Sequence, residues 1–353
     1  MNRPASSRLP PPQGGARNDF LDYLKGALIF LVVCGHLIQL VGYGDDTLFY
    51  KDPLFTAIYT FHMPLFMAVS GFVSFGMIVR SDFFTCVLRR FRQVIIPAIC
   101  WPLLGLIALF LWSLFRADTF GHGVQAFKHS LASFRPGLWF LWAIFGSTVV
   151  VAALKRFRLD RLQFFALAAV LVLFLPEGAN LYLFKYTLPF FCLGYALAKG
   201  DQIRVPKSFS PLSLITIFAL SIGCYLLWTN DTYVYTTRMH PSFSNLSNIG
   251  LRFVAGVVTS VAFVLLLAGC YRVAKLPVLS LWGRRSLDIY IIHACFVTGL
   301  ASLDNPLKYS PWFSFVVAPV LAAIICALSC VAGLGLGRIP VARTLLLGHA
   351  SKA

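Results

Sequence analysis

The sequence predicts an all-α fold, namely a polytopic integral membrane protein with about ten transmembrane helices and both termini in the cytoplasm. Hydrophobic residues make up 58% of the 353 residues. Charged residues make up only 12%, against about 25% in an average soluble domain. Apolar runs long enough to cross a bilayer recur along the chain, and no polar block of domain size interrupts them. We therefore expect one membrane domain and no separate soluble domain.

Ten apolar runs predict the spans, of which the fourth, fifth, sixth and ninth are the shortest. In chain order they are 20–41, 53–79, 94–115, 138–154, 161–176, 182–198, 211–229, 250–270, 287–302 and 311–337. Residues 1–18 are rich in Pro, Gly, Ser and Arg, which predicts a disordered cytoplasmic tail. The membrane domain is expected at 19–340, with a second cytoplasmic tail at 341–353.

The distribution of Lys and Arg predicts the orientation. With these spans, 21 of the 30 Lys and Arg residues fall outside the spans or within the first three residues of a span on one side and 7 on the other, while Lys25 and Lys185 lie deeper within spans. The positive-inside rule makes the richer side cytoplasmic. These topology signals also explain most of the net charge of +17 without a nucleic-acid partner, because the basic residues are spread over short loops. Three cytoplasmic clusters remain candidate anion sites: 89–92, 155–158 and 284–285.

The cysteines predict neither a disulfide framework nor a metal centre. Nine cysteines occur singly, most of them within apolar runs. No Cys-x-x-Cys pair and no nearby histidine at metal-ligand spacing accompany them. We expect free thiols that behave as small buried apolar residues, and we predict no metal site.

Two ionisable residues share one face of the first predicted span. Lys25 and His36 are eleven residues apart, which is three helical turns plus about 20° and roughly 16 Å along the axis. Ionisable side chains inside a membrane helix are costly and usually face the bundle interior. Asp22 lies three residues before Lys25 and is its neighbour on a helix. The plainer alternatives are a lysine that snorkels to the interface and a histidine that serves only packing.

Further histidines enter the second and ninth spans. His62 lies about nine residues from the outer end of the second span, at a depth comparable with His36, so the two could converge. Pro64 is expected to bend that helix, which a membrane tolerates where the bend is buried or lines a wet cavity. Tyr290 and His293 lie three residues apart on one helical stripe of the ninth span. A polar face is therefore predicted to enter the bundle there as well.

Ser70 and Trp139 are candidates with clear structural alternatives. Ser70 belongs to a Ser-Gly pair that would also suit close helix packing. Trp139 lies in the aromatic segment 136–142 at the outer start of the fourth span, and an interfacial aromatic belt would explain both it and Tyr290.

Taken together, the charged and polar groups predict a line from the cytoplasm to the outer half of the membrane. Basic residues lie at the inner surface, Lys25 lies just within the bilayer, and the histidines lie deeper. A long ligand with an anionic head and a reactive tail suits this line, because its phosphates would meet Arg and Lys and its tail would reach a base. Acyl-coenzyme A has that shape.

Five segments carry a family resemblance, and they occur in the family's order. They are 21–36, 61–72, 89–97, 138–141 and 286–293. On these segments the chain resembles the membrane acyltransferase 3 family, and most closely its branch similar to fucose 4-O-acetylases.

The resemblance implies transfer of an acyl group, usually acetyl, from cytoplasmic acyl-coenzyme A to a hydroxyl of a cell-envelope or exported glycan. It also implies a multi-pass protein of the bacterial inner membrane. The family's basic-x10-His pattern falls on Lys25 and His36, and its Arg-x-x-Arg pattern falls on Arg89 and Arg92, which would hold the coenzyme A phosphates. Many members have Arg where this chain has Lys25, and Lys keeps the charge but loses bidentate phosphate pairing.

On this basis we expect His36 to act as general base toward a sugar hydroxyl or to accept the acyl group itself. Asp22 and Lys25 would organise the inner end of the same helix, and His62 would share or relay the proton. The remaining predicted site residues would bind or orient the acceptor: Ser70, Trp139, Tyr290 and His293.

Two alternatives stay open from the sequence. A succinyl or other short acyl group would use the same fold as acetyl. A transporter or flippase for a glycan or lipid-linked precursor would also have about ten helices and intramembrane His and Lys residues. Against transport, nothing in 180–337 repeats the Lys-x10-His or the His-Met-Pro segment.

Overall fold

The part of the chain that the structure describes is all-helical, and the length and apolar character of its helices fit the predicted membrane protein. The structure is a computed structural model that describes residues 18–116, 138–178, 181–200 and 210–349. Among these residues it contains helices and connecting turns and no strand. Seven helices are long and apolar enough to cross a membrane, and three shorter apolar helices occupy the fifth, seventh and ninth predicted spans. The exact number of ten spans and the cytoplasmic termini stay predictions, and the N-terminal tail predicted at 1–18 lies outside the described residues except for Asn18.

Fifteen α-helices are numbered here in chain order. They are α1 (Asp19–Leu37), α2 (Pro53–Tyr59), α3 (His62–Arg80), α4 (Phe83–Arg90), α5 (Ile96–Arg116), α6 (Trp139–Arg156), α7 (Leu162–Leu173), α8 (Leu181–Lys199), α9 (Pro211–Leu226), α10 (Val234–Thr237), α11 (Leu246–Val273), α12 (Pro277–Arg284), α13 (Ser286–Ala301), α14 (Ala318–Leu336) and α15 (Pro340–Leu345). Single π-helical turns extend α1 over Ile38–Gly42, join α4 to α5 over Phe91–Ile95 and precede α14 over Phe313–Val317.

Helix α1 lies at the centre of the bundle and is the most buried of the seven long apolar helices. It packs on α12, α13, α14 and α3, while α3 packs on α8 and α6. The contact between α1 and α12 depends on Gly26, because a Cβ atom at that position would lie 1.8 Å from the carbonyl oxygen of Leu279. The N-terminus of α1 is capped by Asn18, whose side chain accepts a hydrogen bond from the backbone N–H of Leu21 at 3.1 Å.

The structure differs from the sequence-based expectation in two details, one in the second predicted span and one in the basic cluster that follows it. The second span is broken at Thr60 and Phe61, where α2 ends and α3 begins, rather than bent within a helix at Pro64. Pro64 instead occupies the first turn of α3, where the missing N–H has no helical partner to lose. The basic cluster 89–92 was expected in a loop but lies on the amphipathic helix α4 and the π-helical turn that follows it.

The C-terminal segment after 340 packs against one end of the bundle. Helix α15 is followed by residues whose backbone contacts α5, where the indole N–H of Trp101 donates to the carbonyl of Leu346 at 2.8 Å. The Leu347 side chain is fully buried. His349 Nε2 lies 3.1 Å from Oδ1 of the buried Asp288 on α13. Residues 350–353 of the predicted tail lie outside the described residues.

Substitution of Gly26 by Ala tests the packing of α1 on α12. The added methyl group would meet the Leu279 backbone, which cannot rotate away as a side chain would. We expect a loss of about 1–3 kcal/mol in the free energy of unfolding, as for other overpacked contacts, measured as a lower midpoint of thermal unfolding of the purified protein. Gly76→Ala is the matched control, because nothing lies within 4 Å of a Cβ there. Equal unfolding midpoints for the two variants would contradict the close approach.

Candidate active site

The centre of the candidate site is a hydrogen-bonded pair of histidines from α1 and α13. Nδ1 of His36 lies 2.9 Å from Nε2 of His293. The two rings are nearly parallel, with an interplanar angle of 11° and centroids 5.1 Å apart. Two residues that are 257 positions apart in the chain therefore form one polar unit within the membrane domain.

The hydrogen-bond partners assign the tautomers of this pair. His293 Nδ1 lies 3.1 Å from the carbonyl oxygen of Ile289, which can only accept, so Nδ1 carries the proton. In a neutral His293 the Nε2 atom is then an acceptor, and the hydrogen bond must be donated by Nδ1–H of His36. The lone pair of His36 Nε2 is consequently the one that takes no part in this hydrogen bond. His293 thus fixes the orientation of the His36 ring.

Both histidines line a cavity of about 290 Å³, called here the outer cavity. It is formed by the outer ends of α1 and α13, the α6 N-terminus, α2 and the loop helices that precede α2 and α11. Aromatic and polar side chains dominate its wall: His36, Gln39, Tyr50, Tyr59, Trp139, Tyr235, Tyr290, His293 and Thr298, with Leu40, Phe49, Phe55, Leu138, Ala294 and Val297 completing it. The predicted residues Trp139, Tyr290 and His293 therefore meet His36 in one place.

His62 lies beside this cavity rather than in its wall. Its ring centroid is 4.5 Å from that of Tyr59, which lines the outer cavity and also a smaller one of about 20 Å³ that His62 lines. His62 Nδ1 donates to the carbonyl of Ile58 at 2.8 Å, so its Nε2 is an acceptor. Gly35 makes room for the Tyr59 ring beside His36, since a Cβ there would lie 2.8 Å from Tyr59 Cε2. The structure thus brings His62 close to His36 but inserts Tyr59 as their shared neighbour.

Asp52 anchors the loop that forms one wall of the outer cavity. This buried carboxylate caps α2 by accepting from the N–H of Phe55 at 2.8 Å, and it accepts from Ser314 Oγ at 2.6 Å. It also accepts from the Tyr43 hydroxyl at 3.1 Å. Burial raises the pKa of Tyr43 to about 12, and the neighbouring Asp52 carboxylate adds to the shift, so Tyr43 remains a donor. The Asp52 contacts fix the position of Phe55 in the cavity wall.

Arg252 anchors an adjoining part of the wall. This fully buried residue of α11 donates from Nε to the carbonyl of Thr232 at 2.6 Å and from Nη2 to the carbonyl of Tyr233 at 3.1 Å, with further bonds to neighbouring loop groups. The loop that it holds carries Tyr235 into the outer cavity. The positive charge is thus stabilised by the carbonyl dipoles of the loop that it organises.

The inner end of α1 carries a separate set of charges. Nζ of Lys25 forms an ion pair with Oδ1 of Asp22 at 2.8 Å, as their spacing predicts. On α13, the buried Asp288 pairs with Nη1 of Arg285 at 3.2 Å as well as with His349. Neither Asp22 nor Lys25 lines the outer cavity. Along the same helix, Lys25 lies about three turns and Asp22 about four turns from His36.

The three arginines of the 89–92 cluster differ in position. Arg89 and Arg92 have exposed side chains. Arg90 is partly buried, and its Nη2 donates to Ser74 Oγ on α3. Ser70, one turn before Ser74, donates its hydroxyl to the Phe66 carbonyl at 2.8 Å, and it does not line the outer cavity.

The other predicted basic clusters have structural partners. Nζ of Lys155 donates to the carbonyls of Val79 and Ser81 at 3.3 and 3.1 Å, and so caps the end of α3. Arg156 lies over the ring of Phe84 at 5.9 Å.

Within the described chain, no group of three His, Cys, Asp or Glu residues is arranged to hold a metal ion.

Several residues of the site were not singled out from the sequence. Tyr59 and Tyr235 lie in segments where aromatic residues are common, and only the tertiary fold shows that both face His36. The sequence gives only a weak signal for Gln39 and Thr298 as site residues. Gln39 lies three residues after His36, and Thr298 lies five residues after His293. The sequence did not distinguish Arg90 from Arg89 and Arg92, because all three belong to one basic cluster.

The comparisons with known proteins agree with this architecture. The model of a family described as an acyltransferase domain matches residues 18–333. Nodulation protein NolL of Sinorhizobium fredii is 32% identical over 302 residues, which cover 80% of this chain and 81% of the relative. Nodulation protein NolL of Mesorhizobium japonicum is 30% identical over 297 residues, which cover 80% of this chain and 77% of the relative. No solved structure matches the chain. The chain therefore belongs to the acyltransferase 3 family and is a membrane acyltransferase.

Proposed function

We propose that the protein transfers an acyl group, in the first instance acetyl, from cytoplasmic acyl-coenzyme A to a hydroxyl of a cell-envelope or exported glycan. The observation that carries the proposal is the His36–His293 pair, whose hydrogen bonds leave His36 Nε2 free as a base within the outer cavity. Family membership supplies the reaction class. The protein would act as a multi-pass protein of the bacterial inner membrane.

In the proposed reaction, His36 Nε2 removes the proton from the acceptor hydroxyl as the oxygen attacks the thioester carbonyl carbon. The tetrahedral intermediate collapses with cleavage of the carbon–sulfur bond, and the coenzyme A thiolate takes the proton back from the imidazolium. An imidazole can accept a proton and return it, which suits it to both steps. His293 keeps the His36 ring in place by accepting its Nδ1–H. The same free Nε2 would be the nucleophile if His36 accepted the acyl group first.

The composition of the outer cavity supports a sugar acceptor. Tyr50, Trp139 and Tyr235 offer flat ring faces, and Gln39 and Thr298 offer hydrogen-bonding groups at the cavity wall. A sugar ring presents both apolar C–H faces and hydroxyl groups, so this combination suits it. We propose that Tyr290 and Trp139 orient the acceptor, while His62 tunes the site through Tyr59.

The distribution of charge supports donor entry from the inner side. The Asp22–Lys25 ion pair and the exposed Arg89 and Arg92 lie at the end of the bundle that the positive-inside rule makes cytoplasmic. We propose that Lys25 and the arginines attract the anionic head of the donor. The transporter or flippase considered from the sequence is not favoured, because the family to which the chain belongs transfers acyl groups.

Replacement of His36 tests the catalytic role. His36→Ala removes the proposed base, and the rate of acyl transfer from labelled acetyl-coenzyme A to a glycan acceptor should fall by about 10²- to 10⁴-fold. His240→Ala, at an exposed position of the outer loop, is the matched control and should keep wild-type activity. Near-normal transfer by folded His36→Ala protein would show that another group is the base. Mass spectrometry of the product identifies the acyl group and separates acetyl from succinyl transfer.

Replacement of His293 tests the orienting role. His293→Ala removes the acceptor of the His36 Nδ1–H, and we expect kcat to fall about tenfold to hundredfold with little change in the KM for the donor, because the base is misplaced rather than the ligand lost. Residues that act as a unit are not additive, so the double variant should be no slower than His36→Ala alone. A full multiplicative loss in the double variant, or an unchanged kcat in His293→Ala, would argue for independent roles.

A further inference from the structure

Arg90 is a partly buried cation whose buried Nε–H donor is unused. It is the last residue of α4, and its Nη2 donates to Ser74 Oγ on α3. Its Nε atom is buried and has no hydrogen-bond partner among the described residues. A guanidinium group carries five N–H donors, and a buried unpaired donor or charge costs free energy. Such a group is expected to receive a further partner when the protein is at work.

The Ser74 hydroxyl is arranged to hold Arg90 rather than to neutralise it. Ser74 Oγ donates its own proton to the carbonyl of Ser70 at 2.6 Å, so its lone pairs face the guanidinium. Ser74 is itself buried. The hydrogen bond to Ser74 fixes the Nη2 atom of the guanidinium and leaves its Nε–H donor for another acceptor. A phosphate group suits this position, because the planar fork of Arg matches the geometry of phosphate oxygens. Arg89 and Arg92, with exposed side chains, show no comparable positioning.

The position of this group along α3 relates it to the outer cavity. His62, Phe66, Ser70 and Ser74 follow one another at four-residue intervals, so they form a row of neighbouring side chains that winds by about 120° around α3 from His62 to Ser74. From His62 to Ser74 the helix rises about 18 Å, a distance that an extended pantetheine arm can bridge. Phe66 packs edge to face on Phe140 with centroids 5.2 Å apart, and Phe140 packs on Tyr290 at 5.5 Å. The side of α3 that carries this row thus leads from Arg90 through the aromatic contacts of Phe66 to the outer cavity.

We propose that Arg90, held by Ser74, binds a phosphate group of the acyl donor, and that the acyl-bearing arm then extends along this side of α3 toward His36. The proposal rests on the proposed function and names a donor-binding residue between the two arginines that the family pattern selects. Entry of the arm requires the Phe66 and Phe140 rings to separate, because they lie along its course.

Direct binding of coenzyme A to the purified full-length protein in lipid nanodiscs tests the site without requiring turnover. Arg90→Gln should weaken coenzyme A binding by about tenfold or more, in line with the loss of hydrogen bonds from a charged donor to phosphate. Arg80→Gln, at an exposed position at the end of α3, is the matched control and should bind as wild type does. Arg89→Gln and Arg92→Gln should each weaken binding less than Arg90→Gln does. A larger effect at Arg89 or Arg92, with Arg90→Gln unchanged, would overturn the proposal.

A donor without phosphates gives a second readout. With acetyl-coenzyme A, Arg90→Gln should raise KM with a smaller effect on kcat. With S-acetyl-pantetheine, which lacks the phosphates, the variant and the wild type should have equal activity. Unequal activity with S-acetyl-pantetheine would overturn the phosphate contact and indicate a structural role. Arg90→Lys keeps the charge but loses the planar fork. A thermal unfolding midpoint equal to that of wild type would establish that this variant folds. We then expect it to bind coenzyme A with an affinity between those of wild type and Arg90→Gln, which would support a role for the fork geometry.

Two other outcomes distinguish this proposal from lipid binding at Arg90 and from a failure of the proposed function. If anionic lipid stabilises the wild type but not Arg90→Gln against thermal unfolding, while coenzyme A binds both equally, the phosphate belongs to a lipid headgroup and the proposal is overturned. If coenzyme A binding depends on Arg90 but no acyl group reaches any acceptor, the binding site stands and the proposed function fails.

Discussion

The hydrogen bond from His36 to His293 is the interaction on which the proposed chemistry depends. It joins α1 to α13 across the bundle and determines which nitrogen of His36 is free. A buried imidazole without a partner would be costly in a membrane, so the carbonyl of Ile289 and the two rings together satisfy the polar atoms that face each other. The result is one lone pair, on His36 Nε2, that takes part in neither of these hydrogen bonds.

The rest of the fold places this pair and shapes the space around it. Close packing at Gly26 holds α1 against α12, the helix that immediately precedes α13 in the chain. Asp52 and Arg252 hold the two outer loops that close the cavity with aromatic side chains. Each of these two charged residues is satisfied by several hydrogen bonds, those of Arg252 within one loop and those of Asp52 from its own segment and from Ser314. These bonds allow an irregular backbone to be buried at this end of the helices.

Charge and chemistry are separated along the length of α1. Its inner end carries the Asp22–Lys25 ion pair, and its outer end carries the proposed base. Between these levels, the Phe66 and Phe140 rings are in contact. On the donor path that we propose, the arm would have to separate these two rings, so the closed rings would keep an unbound thioester out of the outer cavity. The proposed path would in this way limit hydrolysis of the activated ester.

The sequence predicts much of this arrangement where local rules decide it. The apolar runs locate the helices, and helical spacing places Lys25 beside Asp22 and Tyr290 near His293. The pairing of His36 with His293 could not be predicted, because it joins residues 257 positions apart and the depth argument pointed to His62 instead. The break before α3 was missed because Pro64 was expected to act within a helix, whereas proline is tolerated in a first turn.

The sequence alone also does not show which arginine of the cluster 89–92 has a partner on another helix. Arg89, Arg90 and Arg92 have the same charge and differ only in the side of the helix that each occupies. Only the contact with Ser74 distinguishes Arg90. Roles for the individual site residues remain proposals that experiments on those residues must decide.

The most direct test of the central claim is the structure of the protein with a non-transferable thioether analogue of acetyl-coenzyme A, determined by electron cryo-microscopy. The proposed mechanism predicts the acyl carbon beside His36 Nε2 in the outer cavity, with His36 Nδ1 still hydrogen-bonded to His293. An acyl end seated away from His36, or a His36 ring turned so that Nε2 faces His293 or lipid, would contradict it.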